Sequence, residues 1–204
     1  MRVRALTIPG SYEFTPIVHA DDRGSFAETY RFEALSEVLG RPFVLGQANT
    51  SVSAAGVVRG VHYALLPPGQ AKYVTAAHGA LLDIVVDLRV GSPTFGAVDT
   101  VELDDVSRRA VFLSEGLGHV LVARTDGATA SYLSNEVFNP ERELTINPLD
   151  PELALPLPFP ARELLLSPRD VAAPSLAEAR ERGLLPTWAQ YLEIAGTTVE
   201  AARS

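Results

Sequence analysis

The 204-residue sequence contains no cysteine, so it can form neither a disulfide bond nor a zinc site held by thiolates. Histidine is scarce, with four residues spread along the chain, and a metal site would need ligands from distant segments. No apolar run approaches the roughly 18 residues of a membrane span, and no N-terminal apolar segment has the length of a signal peptide. We therefore expect no metal, no membrane association and a cytoplasmic location.

Lysine is almost absent as well. Lysine and arginine together number 17, and Lys72 is the only lysine among them, an exception within an arginine-rich composition. The net charge of −8 argues against nucleic-acid binding, which relies on a basic face. A small phosphorylated ligand remains compatible with this charge, because a few arginines that converge in a cleft create a local positive field.

Several common catalytic motifs are missing. The sequence has no Walker A loop, no G-x-S-x-G elbow and no complete glycine-rich dinucleotide motif. Metal-binding cupins carry a His-x-His pair on a strand, but here His62 is followed by Tyr63 and then Ala64. These absences favour a reaction that needs no metal ion.

The central part of the chain has the pattern of a β protein. Short apolar or alternating segments, separated by Gly-, Pro- and Asp-rich turns, recur about every 8–12 residues, as in antiparallel sandwiches and barrels. Nine predicted strands lie within residues 25–32, 44–53, 56–65, 71–79, 80–90, 97–103, 109–115, 119–124 and 129–137. We expect an all-β sandwich in one domain over residues 1–204.

Helical patterns are confined to the edges of this β region. One short amphipathic segment covers residues 31–40, and a helical tail is predicted over about residues 172–204. Within the tail, Ser175 and Glu178 have the spacing of a capping box. Residues 139–174 are rich in proline, but leucine and isoleucine recur through them, which predicts ordered wrapping over the core.

The segment VVRGVHYALLPPGQAKYV, residues 57–74, combines unusual features. Arg59 and His62 would face opposite sides of a regular strand, unless Gly60 forms a bulge that redirects one of them. Taken alone, His62 is typical of a half-buried strand histidine and Lys72 of a solvated charge. Tyr132, in TASYLSN, is by itself typical of core packing rather than of a catalytic acid.

The order of motifs along the chain resembles the dTDP-4-dehydrorhamnose 3,5-epimerase family, which includes the 3- or 5-epimerases of antibiotic deoxysugar pathways. The resemblance covers roughly residues 10 to 190 and is carried by the segments DDRGSFAETY, QANTSVSAAGVVRGVHY, GQAKYV, GALLDIVVDLRVGSPTFG, SEGLGHV, SYLSNEVFNPERE and LLLSPRDVAAPSL. It implies a cupin-type jelly roll with short C-terminal helices, a homodimer, a dTDP-4-keto-6-deoxy sugar substrate, and no metal or redox cofactor.

The resemblance also implies roles for individual residues. His62 matches the catalytic base, Asp170 the carboxylate that pairs with it, Lys72 the cation beside the C4 oxygen, and Tyr132 the acid on the opposite face. Epimerisation next to a ketone needs this set of a base, an acid and a donor for the enolate oxygen. The implied substrate-binding residues are Arg23, Glu28, Gln47, Asn49, Arg59, His119, Glu143 and Arg169.

Some positions depart from the family pattern. Ala64 stands where a polar residue is usual, Ser131 precedes Tyr132, and Phe138 occupies a position where tyrosine is common. These changes leave open whether C3, C5 or both are inverted. Two alternative functions also remain open, a dTDP-sugar 3,4-ketoisomerase and a non-catalytic cupin-like protein that binds sugar nucleotides.

Overall fold

The structure, a computed structural model, describes the backbone of residues 1–201 and side chains as far as Gly196. Its strands are β1 Arg2–Ala5, β2 Ser11–Thr15, β3 Val18–Asp21, β4 Gly24–Ala27, β5 Gln47–Ser53, β6 Val57–Ala64, β7 Lys72–His78, β8 Ala80–Asp87, β9 Val98–Asp104, β10 Ala110–Leu113, β11 Leu117–Ala123, β12 Ala128–Ser134, β13 Glu143–Thr145 and β14 Leu165–Leu166. Its helices are α1 Phe32–Leu39, α2 Pro168–Val171, α3 Leu176–Glu181 and α4 Trp188–Ala201, with a short 3-10 turn at Ala161–Glu163.

Two antiparallel sheets form the body of the structure. The first has the strand order β1-β2-β10-β7-β12-β5, and the second has the order β13-β6-β11-β8-β9. The short strand β14 adds to β6 in parallel, and β3 and β4 form a separate hairpin. The expected cupin-type jelly roll with short helices at its C-terminal end is confirmed.

The nine predicted strands are all present, although the segment 25–32 contributes only the end of β4. Strands β1, β2, β3, β13 and β14 and helix α2 were not predicted. The capping box of α3 is confirmed, because Ser175 and Glu178 exchange side-chain and backbone hydrogen bonds. The last three residues of the expected helical tail, 202–204, lie outside the described residues.

The main apolar core fills the space between the two sheets. Val74 on β7, Leu81 and Val85 on β8, and Leu117 and Leu121 on β11 all belong to it. Because side chains alternate along a strand, residues two positions away share this interior face. The interior face therefore also carries four polar side chains, at positions 72, 83, 119 and 132.

A second core covers the outer face of the second sheet. Residues from the proline-rich segment and the tail, including Ile146, Leu153, Leu164 and Leu176, pack there against strand residues such as Val58. This packing confirms the ordered wrapping predicted for residues 139–174. It also holds the segment around α2 against strand β6.

A bulge in β6 determines which residues of this strand face the interior. His119 on β11 pairs with His62, and Leu121 pairs with Arg59, so that β6 has one extra residue between the two pairs. Gly60 has φ +132°, and a Cβ there would lie 2.3 Å from the carbonyl oxygen of His119. The bulge that was considered from the sequence is confirmed, and it turns Arg59 and His62 to the same side.

Candidate active site

A cavity of about 190 Å³ opens at one end of the space between the sheets. Strands of both sheets, the segment after β12 and helix α2 contribute to its wall. The lining residues are Gln47, Asn49, His62, Gln70, Lys72, Tyr132, Phe138, Glu143, Leu144 and Arg169. Seven of these were predicted from the sequence as catalytic or substrate-binding residues, and the fold brings them together.

His62 forms a hydrogen-bonded pair with Asp170, which lies on α2. The distance from Nε2 of His62 to Oδ1 of Asp170 is 2.8 Å. Asp170 is buried, and it also accepts hydrogen bonds from the hydroxyls of Ser167 (2.9 Å) and Thr145 (3.2 Å). Such a carboxylate fixes the tautomer of the imidazole and stabilises its protonated form.

Helix α2 positions this carboxylate. Ser167 is its N-cap and accepts a hydrogen bond from the backbone N–H of Asp170, while Pro168 occupies the first helical position. The sequence SPRD therefore contains a capping signal of the S-x-x-D type, which could have predicted the helix and the role of Ser167.

The pKa of Asp170 lies below its ordinary value. Burial alone would raise the pKa, but the hydrogen bond to His62, the charge of His62 and the hydroxyls of Ser167 and Thr145 outweigh burial. The carboxylate is therefore ionised at neutral pH and available as a partner for an imidazolium.

Lys72 begins strand β7 in the first sheet and lines the same cavity. Burial lowers the pKa of its ammonium, whereas the negative charges of Glu143 and Asp83 act in the opposite direction. A cation with few water neighbours interacts strongly with any negative charge that develops in the cavity.

Tyr132 lies on β12 in the first sheet, whereas His62 lies on β6 in the second. The two side chains therefore enter the cavity from opposite walls. Burial raises the pKa of the Tyr132 phenol, with Glu143 adding to this effect and Arg59 opposing it. The hydroxyl thus retains its proton at neutral pH and can act as an acid.

Arg59 extends the site on the other side of His62. A second cavity of about 390 Å³ is lined by Arg59, His62, Arg169 and Asp170, together with residues of β6 and the segment around β14. The guanidinium of Arg59 is held by the hydroxyl of Ser53 (3.0 Å). Two arginines beside the His62–Asp170 pair create a positive environment suited to phosphate groups.

Three predicted substrate-binding residues line neither of these two cavities. Arg23 lies in the β3–β4 hairpin, where its side chain is 89% exposed and pairs with Asp21, and Glu28 pairs with Arg31. His119 lies beside His62 but is buried, and its Nε2 is 2.8 Å from Oδ2 of Asp83.

Sequence reasoning missed four residues that shape the site, namely Ser167, Thr145, Gln70 and Asp83. The side-chain amide of Gln70 donates to Glu143 and lines the cavity. The signal for Asp83 was an isolated carboxylate within the apolar segment ALLDIVV, because such a group is seldom buried without a partner.

Within residues 1–201, no helix is long and apolar enough to cross a membrane. The described side chains also contain no group of three or more histidines and carboxylates arranged to hold a metal ion.

The fold and the cavity define a class of protein. A jelly roll that holds a histidine–carboxylate pair, a lysine and a tyrosine around one internal cavity has the groups that an isomerase working by proton transfer requires. Comparison with known proteins identifies the family. The model of the dTDP-4-dehydrorhamnose 3,5-epimerase family matches residues 5–178, and the chain belongs to this family.

Individual relatives agree with this assignment. The chain is 56% identical over 189 residues to the dTDP-4-dehydrorhamnose 3-epimerase of Streptomyces niveus, covering 93% of this chain and 90% of that protein. The solved structure of the Mycobacterium tuberculosis rmlC epimerase is 46% identical with a TM-score of 0.93, covering 97% and 100% of the two chains. The 3'-monoepimerase ChmJ of Streptomyces bikiniensis, solved in complex with dTDP-quinovose, is 43% identical with a TM-score of 0.90 and coverage of 95% and 98%.

Proposed function

We propose that this protein is an isomerase that inverts C3, C5 or both in a dTDP-4-keto-6-deoxyhexose, in the biosynthesis of dTDP-deoxysugars such as rhamnose or antibiotic sugars. The single observation that carries this proposal is the arrangement of His62 and Tyr132. A base held by a buried carboxylate and a neutral phenol enter one cavity from opposite sheets. Inversion requires a proton to leave one face of a carbon and another to arrive on the opposite face.

In the proposed reaction, His62 takes the proton from the carbon next to the C4 ketone. The electron pair of that C–H bond forms the enolate, whose oxygen is stabilised by the ammonium of Lys72. The imidazolium that results is stabilised by Asp170. Tyr132 then gives its proton to the opposite face of the carbon and completes the inversion. Exchange with water then removes the proton that His62 has gained and replaces the one that Tyr132 has lost. No oxidation state changes, so the step itself calls for no redox cofactor.

The nucleotide part of the substrate would bind along the second cavity and the strand β5. Arg59 and Arg169 suit the diphosphate, because a guanidinium can form paired hydrogen bonds with phosphate oxygens. Gln47 and Asn49 on β5 and Glu143 on β13 offer polar groups in the first cavity. We further propose that His119, the cross-strand partner of His62, contributes to substrate binding.

A homodimer would account for the position of Arg23 and Glu28. Both residues lie on or beside the β3–β4 hairpin, whose Phe26 side chain is 72% exposed. If these two residues bind the nucleotide, the hairpin of a second copy must reach the cavity. We therefore include a homodimer in the proposal, together with a single domain over residues 1–204 and a cytoplasmic location.

Two other functions are less consistent with the site. A ketoisomerase would move the carbonyl, and a binding protein would need no acid and base on opposite walls. The named relatives of this chain are 3-epimerases and 3,5-epimerases.

Incubation with dTDP-4-keto-6-deoxyglucose in deuterated water separates these functions. An epimerase incorporates deuterium at C3, C5 or both and changes the configuration there, which proton NMR detects directly. The isomerase would produce a shifted carbonyl, and a binding protein would leave the sugar unchanged; either result would contradict the proposal. The His62→Ala variant should lose exchange at every position, and normal exchange in that variant would show that another group is the base.

A further inference from the structure

A second histidine–carboxylate pair lies directly beside the first. His119 on β11 is the cross-strand partner of His62 on β6, and Asp83 on the next strand, β8, holds Nε2 of His119 at 2.8 Å. Asp83 is completely buried, and His119 is nearly so. The second sheet thus carries three polar residues on neighbouring strands of its interior face, where apolar residues would otherwise continue the core.

Asp83 uses only one of its carboxylate oxygens in this pair. The other oxygen, Oδ1, is buried and has no hydrogen-bond partner among the described residues. A buried carboxylate with an unpaired oxygen is costly, at roughly 1–3 kcal/mol or more for a charged group. A buried carboxylate that is present despite this cost indicates a functional role for its charge.

Lys72 lies on the sheet opposite Asp83. Asp83 shares the interior face of β8 with Leu81 and Val85, and Lys72 shares the interior face of β7 with Val74, so the two charges face the same core from opposite sheets. Asp83 is one of two carboxylates whose charge favours the protonated form of Lys72. The other, Glu143, lines the cavity and is expected to bind substrate, whereas Asp83 lies behind the cavity wall.

We propose that Asp83 is a positioning residue for the epimerase reaction, which holds His119 beside His62 and places a fixed negative charge opposite Lys72 so that the lysine stays protonated. This inference rests on the proposed function, because it assumes that Lys72 stabilises the enolate. A desolvated lysine tends to lose its proton, and a neutral amine would stabilise an enolate oxygen far less.

Other charged and titratable groups also surround Lys72. His62 on β6, Tyr132 on β12, Glu143 on β13 and Arg169 on α2 line the same cavity, and His119 on β11 lies beside His62. Among the two carboxylates, only Asp83 can be changed without removing a residue of the cavity wall. A substitution at Asp83 therefore isolates the effect of its charge on Lys72.

The single lysine makes the test direct. Protein labelled with 13C at the lysine ε-carbon gives one side-chain NMR signal, whose pH titration reports Lys72 alone. We expect Lys72 to be protonated in the unmodified protein at about pH 7. In Asp83→Asn, loss of the negative charge should lower the pH of the Lys72 titration by about one unit. The alkaline limb of kcat/KM should move to lower pH by a similar amount.

Asp150→Asn is the matched control. Asp150 is also a buried carboxylate, but it accepts backbone N–H groups of Leu176 and Glu152 away from the cavity. The control should lose stability without moving the Lys72 titration. If Asp83→Asn does not fold, Asp83→Leu, which leaves no unpaired polar atom at position 83, replaces it with the same expected shift.

Three results would overturn the inference. They are an unchanged Lys72 titration in a folded Asp83 variant, an equal shift in Asp150→Asn, and a neutral Lys72 in the unmodified protein at about pH 7. Failure of the proposed function is distinguishable from these results, because it would appear as absence of deuterium incorporation in the unmodified enzyme, whatever the lysine titration shows.

Discussion

His62 and His119 are direct cross-strand partners, and each is bonded to a carboxylate at 2.8 Å. The carboxylates come from different parts of the chain, because Asp170 lies on α2 within the wrapping segment and Asp83 lies within the second sheet. The first pair opens to the cavity, whereas the second is buried behind it. One strand pair thus carries the proposed base and, next to it, a second histidine that is buried.

Replacement of Asp170 by asparagine should lower kcat by about 10³–10⁴-fold. The amide would keep the shape of the side chain, but it could neither hold the reactive tautomer of His62 nor stabilise the imidazolium. Because Asp170 lies behind His62, KM should change little. Steady-state kinetics with separate kcat and KM values provides the measurement.

Thr145→Val is the control for this variant. It removes a hydroxyl that donates to the same carboxylate at 3.2 Å and leaves the His62–Asp170 bond in place. Loss of one hydrogen bond to an ionised carboxylate, worth about 1.5–3 kcal/mol, should cost kcat no more than about 10²-fold. An Asp170→Asn enzyme as active as this control would contradict the assigned role of the carboxylate.

Substitution of Gly60 by alanine should damage both stability and activity. The residue has φ +132°, which disfavours any side chain, and the new Cβ would meet the carbonyl oxygen of His119 at 2.3 Å. The backbone conformation alone should lower the free energy of unfolding by about 1–3 kcal/mol, and the clash should add to this loss. Urea denaturation gives the stability, and the deuterium assay gives the activity.

Gly24 offers a matched comparison for the stability effect. It has φ +136°, but a Cβ there would find open space. Gly24→Ala should therefore show the conformational cost without the clash. Equal losses of stability in the two variants would mean that the contact with His119 does not constrain the bulge.

The fold was largely predictable because turn residues separate the central strands at regular intervals. Strands β13 and β14, by contrast, have three and two residues and acquire their geometry only by pairing with β6, which no local pattern reveals. Strands β1–β3 lie among Pro and Gly residues and are four or five residues long.

The residues of the candidate site were also largely predictable from the sequence. Composition singled out Lys72, and the family resemblance supplied its partners His62, Asp170 and Tyr132. Without that resemblance, Asp170 could not have been placed next to His62, because 108 positions separate them and the contact depends on how the wrapping segment returns to β6. Asp83 was missed because its hydrogen-bond partner, His119, comes from another strand.

Asp87 should make stability depend on pH in the acidic range. Burial alone would raise its pKa, but hydrogen bonds from Arg89, Ser92 and Thr94 and the charge of Arg89 hold the pKa below its ordinary value. The stabilisation is therefore complete above the unfolded-state pKa of about 4 and is lost as the pH falls through the lower folded-state pKa.

Asp87→Asn tests this dependence. Arg89 would be left buried without its partner, so the variant should be less stable at neutral pH by about 3–5 kcal/mol. The difference from the unmodified protein should shrink as the pH is lowered below about 4, as measured by denaturation at several pH values. Asp21→Asn, which breaks an exposed pair with Arg23, should show almost no such dependence. A constant difference for Asp87→Asn would exclude the buried pair as its source.

Replacement of Tyr132 by phenylalanine should separate proton removal from inversion. The ring would still pack against the core between the sheets, so His62, Asp170 and Lys72 should keep their places and the enolate should still form. Without the phenolic proton on the opposite wall, the imidazolium of His62 would return a proton to the face from which it came. In deuterated water the substrate should therefore gain deuterium with retained configuration, while epimer formation falls by about 10²-fold or more. Proton NMR measures both quantities in one experiment.

His62→Asn provides the contrast, since it should lose exchange and inversion together. Equal loss of exchange and inversion in Tyr132→Phe would assign the tyrosine to formation of the enolate, and normal inversion would show that another group is the acid.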